Sequence, residues 1–279
     1  MRILIAGMGD LGGEVARLAV HGGHEVLGLR RSKTAAPPGV TALRGDVTTP
    51  GSLAHLPPTQ ATIYCVAAAA RNEAAYQRTY PEGLSHLLDA LERTGSAGTR
   101  VLFVSSTGVY GDAGGDWVNE DTVPAPASFT GRAMLDAEHL LEARGFEGTS
   151  LRLGGIYGPG RTSLIDAVRA GQPFPEATMR HWTNRVHRDD AARAIMKLVK
   201  EPLAAPTVNV VDPHPARREE VLGWLAARVG VDIRTAARTP GRRSSGDRRV
   251  SSQRLASTDF EFLYPSFKEG YGRLLDRPS

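Results

Sequence analysis

The chain alternates short apolar runs with stretches whose apolar residues recur at helical spacing. Arg2 to Ala6 is an apolar run typical of a buried strand, Glu14 to His21 has the spacing of a helix, and Glu25 to Leu29 is a second apolar run. Alternating strands and helices predict an α/β fold with a doubly wound parallel sheet. A third strand is predicted to end at Val47, and further strands are predicted at 61–70, 100–105, 149–153 and 207–211. Further helices are predicted at 80–94, 131–144, 164–170, 189–199 and 217–229.

Three glycines join the first strand to the first helix. Gly7, Gly9 and Gly12 have the spacing G-x-G-x-x-G, in which the first permits a tight turn, the second lets a pyrophosphate approach the backbone and the third lets helix and strand pack closely. The helix N-terminus offers free N–H groups to the phosphates. This context predicts a Rossmann-type fold with a dinucleotide site that includes the intervening residues Met8, Asp10 and Leu11, whereas a purely structural set of turns is the alternative.

The end of the second strand is basic. Arg30, Arg31 and Ser32 occupy the place where an acidic residue would accept hydrogen bonds from the ribose of NAD. Two guanidiniums can instead clamp a 2′-phosphate, so NADP is predicted and NAD remains possible. A solvated basic turn is the other interpretation. The fourth strand is followed by small residues, Ala67 and Ala68, where a cofactor would lie close.

The pattern loosens after Gly158 and predicts a second, smaller lobe. We expect a dinucleotide-binding domain at 1–157, completed by 183–212, and a small C-terminal substrate-binding lobe at 158–182 and 213–279. Six arginines lie between Arg234 and Arg249 among Ser and Gly residues. No aromatic residues interleave them, so a solvated or mobile loop is favoured over nucleic-acid binding.

Composition narrows the class of protein. The 279 residues carry a net charge of +4 and one cysteine, Cys65, which fits a reducing compartment. No signal peptide and no apolar run of 18 residues is visible, so we expect a cytoplasmic protein with no membrane or nucleic-acid partner and no metal. A monomer or homodimer acting on a small molecule is expected.

Several segments resemble the extended short-chain dehydrogenase/reductase superfamily, the NAD-dependent epimerase/dehydratase group. They are GDVTTP, SSTGVYGD, LRLGGIYGPGR, NRVHRDDAARAI and two C-terminal segments, and the resemblance that they mark extends over nearly the whole chain. The family usually spaces its glycines one residue further apart. The resemblance implies that Asp46 and Val47 flank an adenine, and it adds Ser105 and Ile156 to the expected cofactor contacts.

The family's catalytic pair is missing at the aligned positions. Its tyrosine is paired with a lysine four residues later, which lowers the phenol pKa. Here Thr130 and Met134 occupy those positions, and no lysine lies between Lys33 and Lys197. The one Tyr-x-x-x-Lys match, Tyr264 and Lys268, lies in the C-terminal lobe and carries little weight. The chain is therefore identified as an atypical member that lacks the Tyr-x-x-x-Lys pair.

Ser106 aligns with the family's substrate-polarising hydroxyl, and we predict Ser106 and Thr130 as the catalytic candidates. A strand-end cap is the equal alternative for Ser106. Candidate substrate contacts are Thr107, Tyr110, Phe129, Tyr157, His181, Trp182 and Arg185, with Trp117 beside them, although Tyr110 and Tyr157 also fit structural YG turns.

Two classes of function remain open at this point. The first is an NAD(P)-dependent oxidoreductase, epimerase or dehydratase with a non-standard site, acting on a small polar, sugar-like or carbonyl substrate. The second is a non-catalytic NADP(H)-binding sensor or assembly protein. The retained serine motif and YGPGR segment favour the enzyme.

Overall fold

The computed structural model describes residues 1–32, 36–96, 98–236 and 246–276. The helices are α1 (Asp10–His21), α2 (Glu73–Gln77), α3 (Gly83–Arg93), α4 (Phe129–Ala143), α5 (Ser163–Arg169), α6 (Arg188–Lys200), α7 (Arg218–Val229), α8 (Gln253–Ala256) and α9 (Phe267–Leu275). The strands are β1 (Arg2–Ala6), β2 (Glu25–Arg30), β3 (Val40–Arg44), β4 (Ala61–Tyr64), β5 (Arg100–Ser106), β6 (Trp117–Val118), β7 (Glu147–Leu153), β8 (Gly155–Tyr157), β9 (Phe174–Pro175), β10 (Trp182–Thr183), β11 (Arg185–His187), β12 (Thr207–Val210), β13 (Ala216–Arg217), β14 (Thr235–Ala236) and β15 (Arg249–Val250).

A seven-stranded sheet has the order β12-β7-β5-β4-β1-β2-β3. The chain moves outward from β1 through β2 to β3 and then returns to β4 on the other side of β1, and these neighbours pair in parallel. The order therefore reverses beside β1, which is where open α/β sheets bind ligands at the carboxyl ends of their strands. The predicted Rossmann-type doubly wound parallel sheet is confirmed.

The chain divides into two compact units. The first comprises Met1–Val109, Pro126–Arg152 and Ala192–Val208, and the second comprises Tyr110–Ala125, Leu153–Ala191 and Asn209–Ser279. The expected boundaries assigned 110–125 to the dinucleotide-binding domain. In the structure this segment belongs to the second unit, where Trp117 and Val118 of β6 pair with Arg249 and Val250 of β15.

Each unit has its own apolar core. In the first, buried side chains of β1, β2, β4 and β5 pack against Leu84, Leu87, Leu88 and Leu91 of α3. In the second, Val221, Leu222 and Leu225 of α7 pack with residues of α5 and α9. Helix α7 ends at Val229, as the predicted span 217–229 does, and is followed by Gly230, whose φ of 73° is the left-handed conformation that glycine adopts at helix ends.

The predicted helix at 80–94 is interrupted. Residues Arg78–Glu82 form a π-helical turn between α2 and α3, with Pro81 inside it. Proline removes a helix N–H, and the Tyr64 hydroxyl donates a hydrogen bond to the Thr79 carbonyl. A Cβ on Gly83 would lie 2.6 Å from that Tyr64 hydroxyl oxygen, so glycine is required there. The apolar periodicity of α3 extends through the turn and does not reveal it.

The prediction of a solvated loop between Arg234 and Arg249 needs a correction. Arg248 is buried, and its Nη1 donates to the Gly111 carbonyl at 3.0 Å, while burial lowers the pKa of its guanidinium. Arg249 belongs to β15. The pairing of β15 with β6 keeps these arginines in an ordered position. The local sequence does not indicate that pairing. Residues 237–245 lie outside the described residues.

No helix in the described ranges is long and apolar enough to span a membrane.

Candidate functional site

The three glycines of the first turn have three different environments. Gly7 has a φ of 100°, and a Cβ there would lie 2.6 Å from the Cys65 carbonyl carbon. Gly12 lies so close to the turn that a Cβ would be 1.9 Å from the Gly7 carbonyl oxygen. A Cβ on Gly9, the residue that caps α1, would meet nothing within 4 Å. Gly7 and Gly12 are thus required by the fold, and Gly9 borders open space at the N-terminus of α1.

The residues between these glycines divide into buried and exposed positions. Leu11 is buried against the core, whereas Asp10 is exposed. Met8 extends over β2, because a Cβ on Gly28 would lie 3.0 Å from the Met8 sulfur. Gly9 and Asp10 are therefore exposed, whereas Met8 and Leu11 on either side pack against β2 and the core.

The basic group lies at the carboxyl end of β2. Arg30 Nε donates to Ser32 Oγ at 3.1 Å, and Arg31 Nη1 lies 3.8 Å from Asp46 Oδ2, with the Arg31 side chain 54% exposed. Asp46 is held by Thr48, whose backbone N–H donates to Oδ1 at 2.9 Å. Arg30, Arg31, Ser32 and Asp46 thus come together, and Val47, which follows Asp46, is buried.

Small residues follow β4 on the same edge of the sheet. Cys65 donates from Sγ to the Gly7 carbonyl at 3.1 Å, and burial raises the pKa of its thiol to about 12. The thiol is therefore neutral and structural. Ala67 is exposed and Ala68 half-buried. Burial raises the pKa of the Tyr80 phenol.

Ser105 is committed to a buried ionic network. Its Oγ donates to Glu138 Oε1 at 2.5 Å, and Arg152 binds the same carboxylate through Nε at 3.1 Å and Nη2 at 2.6 Å. All three side chains are at most 5% exposed. The network joins α4 to the adjacent strands β5 and β7. Sequence reasoning listed Ser105 as a cofactor contact and missed Glu138.

Hydroxyl groups cluster where α4 begins beside the turn after β5. Ser106 Oγ accepts from the Gly108 N–H at 3.0 Å. Ser128 caps α4 by accepting from the Gly131 N–H at 3.1 Å, and its Oγ lies 2.8 Å from Thr130 Oγ1. A Cβ on Gly131 would lie 2.5 Å from the Gly108 carbonyl oxygen. This close approach holds the Ser106 turn and the start of α4, with Thr130, against each other.

The surroundings of these hydroxyls are apolar. Met134, the predicted counterpart of the family's lysine, packs against the apolar core. Phe129 contacts Tyr76 edge-on with ring centroids 5.4 Å apart, and Tyr76 contacts Tyr80 at 5.1 Å. Tyr76 and Tyr80 carry no sequence motif and were not predicted. Thr107, a predicted substrate contact, is buried in the turn.

The other predicted contacts belong to the second unit. Tyr110 donates from its hydroxyl to Asn209 Oδ1 at 2.9 Å. Tyr157 packs on Tyr271 with ring centroids 4.4 Å apart, and burial raises its phenol pKa. Both phenols are almost fully buried and play structural parts. Ile156 is half-buried in β8, which pairs with β11.

An acidic group lies buried in the same unit. Burial raises the pKa of Asp212 to about 8, and its Oδ1 accepts from the His214 N–H at 3.2 Å. Arg185 donates to Thr183 Oγ1 and opposes the rise in the pKa of Asp212 through its charge. His181 is half-buried and precedes Trp182, whose N–H donates to Asp247 Oδ1 at 2.7 Å.

A glycine turn at the reversal point of a parallel α/β sheet, with open space at the second glycine, defines a nucleotide-binding protein of the Rossmann class. A model of the NAD(P)H-binding family matches residues 7–202, and the chain belongs to that family. The structure is similar to that of a protein from Methylobacillus flagellatus assigned as an NAD-dependent epimerase/dehydratase. That protein is 39% identical, the match covers 98% of this chain and 97% of that one, and the TM-score is 0.81.

Two curated relatives add partial matches. Protein YeeZ of Escherichia coli strain K12 is 39% identical over 122 residues, so the matched stretch spans only 42% of each chain. The 3-diazoavenalumate denitrifying reductase of a Streptomyces species is 29% identical over 220 residues, covering 70% of this chain and 71% of the relative. The chain is thus an atypical relative of the short-chain dehydrogenase/reductases that binds a nicotinamide cofactor.

Proposed function

We propose that the protein is an NADP-dependent oxidoreductase of the epimerase/dehydratase type that acts on a small polar carbonyl or sugar-like substrate. The hydroxyl cluster of Ser106 and Thr130 carries the proposal, because it lies at the carboxyl end of β5 on the edge that holds the glycine turn. The reductase name of the Streptomyces relative supports the same class of chemistry.

Ser106 and Thr130 would act on the substrate oxygen. The bound nicotinamide supplies or accepts a hydride at the substrate carbon. In the reducing direction, negative charge develops on the carbonyl oxygen, and a donated O–H hydrogen bond from Ser106 stabilises it. The Thr130 hydroxyl lies 2.8 Å from Ser128 Oγ and can provide a second hydrogen-bond donor to the substrate oxygen. Neither alcohol ionises near pH 7, so the proton that neutralises this oxygen is passed on by the hydroxyls from solvent.

Removal of the Ser106 hydroxyl tests this assignment. We expect Ser106→Ala to lower kcat/KM by about 100-fold in NADPH oxidation with a panel of aldehydes and ketones, as loss of an oxyanion donor does. Thr130→Ala should lower it only several-fold, through one hydrogen bond of about 1 kcal/mol. Because the two candidate groups are alcohols, kcat should not rise with pH as it does with a tyrosine base.

Thr94→Ala serves as the control, since it removes a hydroxyl that bonds the Leu91 carbonyl at the end of α3. A loss of several orders of magnitude in Thr130→Ala would show that Thr130 is the principal catalytic group. The thioether of Met134 carries no charge and cannot replace a catalytic lysine. This favours a second candidate, a non-catalytic NADP(H) sensor. In that case the wild type oxidises NADPH at background rates with every substrate, and cofactor binding remains.

We propose NADP as the cofactor because of the basic group after β2. Replacing both Arg30 and Arg31 with alanine should remove most of the preference for NADPH over NADH, since each charge-assisted contact contributes about 1.5–3 kcal/mol. Calorimetric titration with both cofactors measures this. Arg17→Ala is the control, because Arg17 is an exposed arginine of α1 paired with Glu14. Equal dissociation constants for NADPH and NADH in the wild type would refute the proposal.

A further inference from the structure

Arginine and tryptophan side chains alternate in a stack within the second unit. Arg249 Cζ lies 5.1 Å from the ring centroid of Trp117 and 5.1 Å from that of Trp182. Arg217 Cζ lies 4.9 Å from the Trp182 ring. The order is therefore Trp117, Arg249, Trp182, Arg217, which we call the Arg–Trp stack. Each member of the stack lies on a different strand: Trp117 on β6, Arg249 on β15, Trp182 on β10 and Arg217 on β13.

The backbone anchors both guanidiniums at one edge. Arg249 Nε donates to the Gly115 carbonyl at 2.8 Å, and Arg217 Nη1 donates to the Arg180 carbonyl at 2.7 Å. Within the described residues, neither arginine has a carboxylate within salt-bridge distance. The carboxylate of Asp247 accepts the backbone N–H of Trp182 at 2.7 Å and forms no ion pair with either arginine of the stack among the described residues. The stack thus holds two positive charges whose orientation is fixed and whose charge is not neutralised by direct pairing.

The outer member of the stack is open. Trp117 is 54% exposed, an unusual state for an indole. A cavity of about 520 Å³ adjoins it, with Val118, Pro213 and Val250 among the lining residues. An aromatic ring has room beside Trp117, and aromatic pairs are favoured in offset or edge-on contact.

We propose that the Arg–Trp stack is a binding site for a planar aromatic molecule that carries an oxyanion, either a carboxylate or a phosphate. The oxyanion binds the Nη edge of Arg249, whose planar fork matches two oxygens, and the ring packs on Trp117. Stacking between two indoles keeps the guanidinium in position before the ligand arrives, which lowers the entropic cost of binding. The proposal concerns binding alone and holds whether or not the protein transfers hydride.

The test uses the indole N–H signals of the three tryptophans in ¹H–¹⁵N NMR spectra of the full chain. Benzoate and phenyl phosphate are titrated as the two aromatic oxyanions. We expect them to shift the signals of Trp117 and Trp182 in a saturable way and to leave Trp224 unchanged. Benzamide, cyclohexanecarboxylate and inorganic phosphate each lack the charge or the ring and should bind at least about 10-fold more weakly.

Substitutions distinguish the contribution of the Arg249 charge to probe binding from an effect on the fold. Arg249→Met should weaken binding of the tighter probe about 10-fold or more, and Arg249→Lys should weaken it less. Trp117→Leu replaces an exposed side chain. It tests the ring contact and leaves in place the hydrogen bond from Arg249 to the Gly115 carbonyl. Arg228→Met is the matched control, because Arg228 lies 5.4 Å from the Trp224 ring but is paired with Asp276 at 2.6 Å. This variant should bind both probes as the wild type does.

Four results would overturn the proposal. They are no shift with either probe, equal binding of benzamide, equal binding of inorganic phosphate, and unchanged affinity in both Arg249→Met and Trp117→Leu. Benzoate and phenyl phosphate identify the preferred oxyanion by their relative affinities. Loss of NADPH oxidation has no bearing on these outcomes, so failure of this proposal and failure of the proposed enzymatic function are distinguishable.

Discussion

Replacing Gly9 with valine should abolish NAD(P)H binding and leave the protein folded. A side chain at Gly9 enters open space at the start of α1, so it meets no protein atom, but it occupies the place where the pyrophosphate approaches the backbone. Loss of two or more hydrogen bonds to charged phosphates corresponds to an affinity loss of about 100-fold or more. Calorimetry and thermal unfolding of the same sample measure both quantities.

Two other glycines, Gly12 of the same turn and Gly223 of α7, supply the contrast. Gly12→Val should unfold the protein or lower its stability by about 3 kcal/mol or more, because its Cβ would collide with the Gly7 carbonyl. Gly223→Val places the same side chain in open space in the middle of α7 and should leave cofactor affinity unchanged. If Gly9→Val binds NADPH as tightly as the wild type, the turn does not hold the dinucleotide.

The glycine turn could be predicted from the sequence because its signal is local. Gly7, Gly9 and Gly12 lie within six residues and their spacing identifies the turn, although the contact that requires glycine at position 7 is with Cys65, which follows β4. The strands of the seven-stranded sheet and most helices were predicted because apolar periodicity reports burial within one element, whereas the short strands β6, β8 to β11 and β13 to β15 were not predicted. The π-helical turn at Arg78–Glu82 was missed, because its cause includes the Tyr64 hydroxyl from a different element.

The candidate site shows the limit of local reasoning. Ser105 and Ser106 are adjacent at the end of β5, and successive strand residues point to opposite faces. The structure commits Ser105 to Glu138, which lies 33 positions later, and leaves Ser106 in the turn. Nothing in the serine motif distinguishes the two hydroxyls. The same holds for Trp117 and Arg249, which meet because β6 pairs with β15 although the two strands lie far apart in the sequence.

The second large effect concerns stability. Glu138→Gln should lower the free energy of unfolding by about 3–5 kcal/mol, because it removes the negative charge that the buried Arg152 guanidinium contacts through Nε and Nη2. Denaturation by guanidinium chloride measures this change. Ser105→Ala should cost only about 1 kcal/mol, since the carboxylate keeps its two-point contact with Arg152. The double variant Glu138→Leu, Arg152→Met should recover much of the loss, because both buried charges are removed together.

The exposed pair Arg100 and Glu147 provides the matched control. It bridges the same strands, β5 and β7, at 2.7 Å, but its side chains are 20% and 57% exposed. Glu147→Gln should therefore change the unfolding free energy by no more than about 1 kcal/mol. If Glu138→Gln costs no more than Glu147→Gln, water reaches the Arg152 guanidinium, and Ser105 is not sequestered from the cofactor side of the sheet. Ser105 would then return as a candidate cofactor contact, which NADPH titration of Ser105→Ala would measure directly.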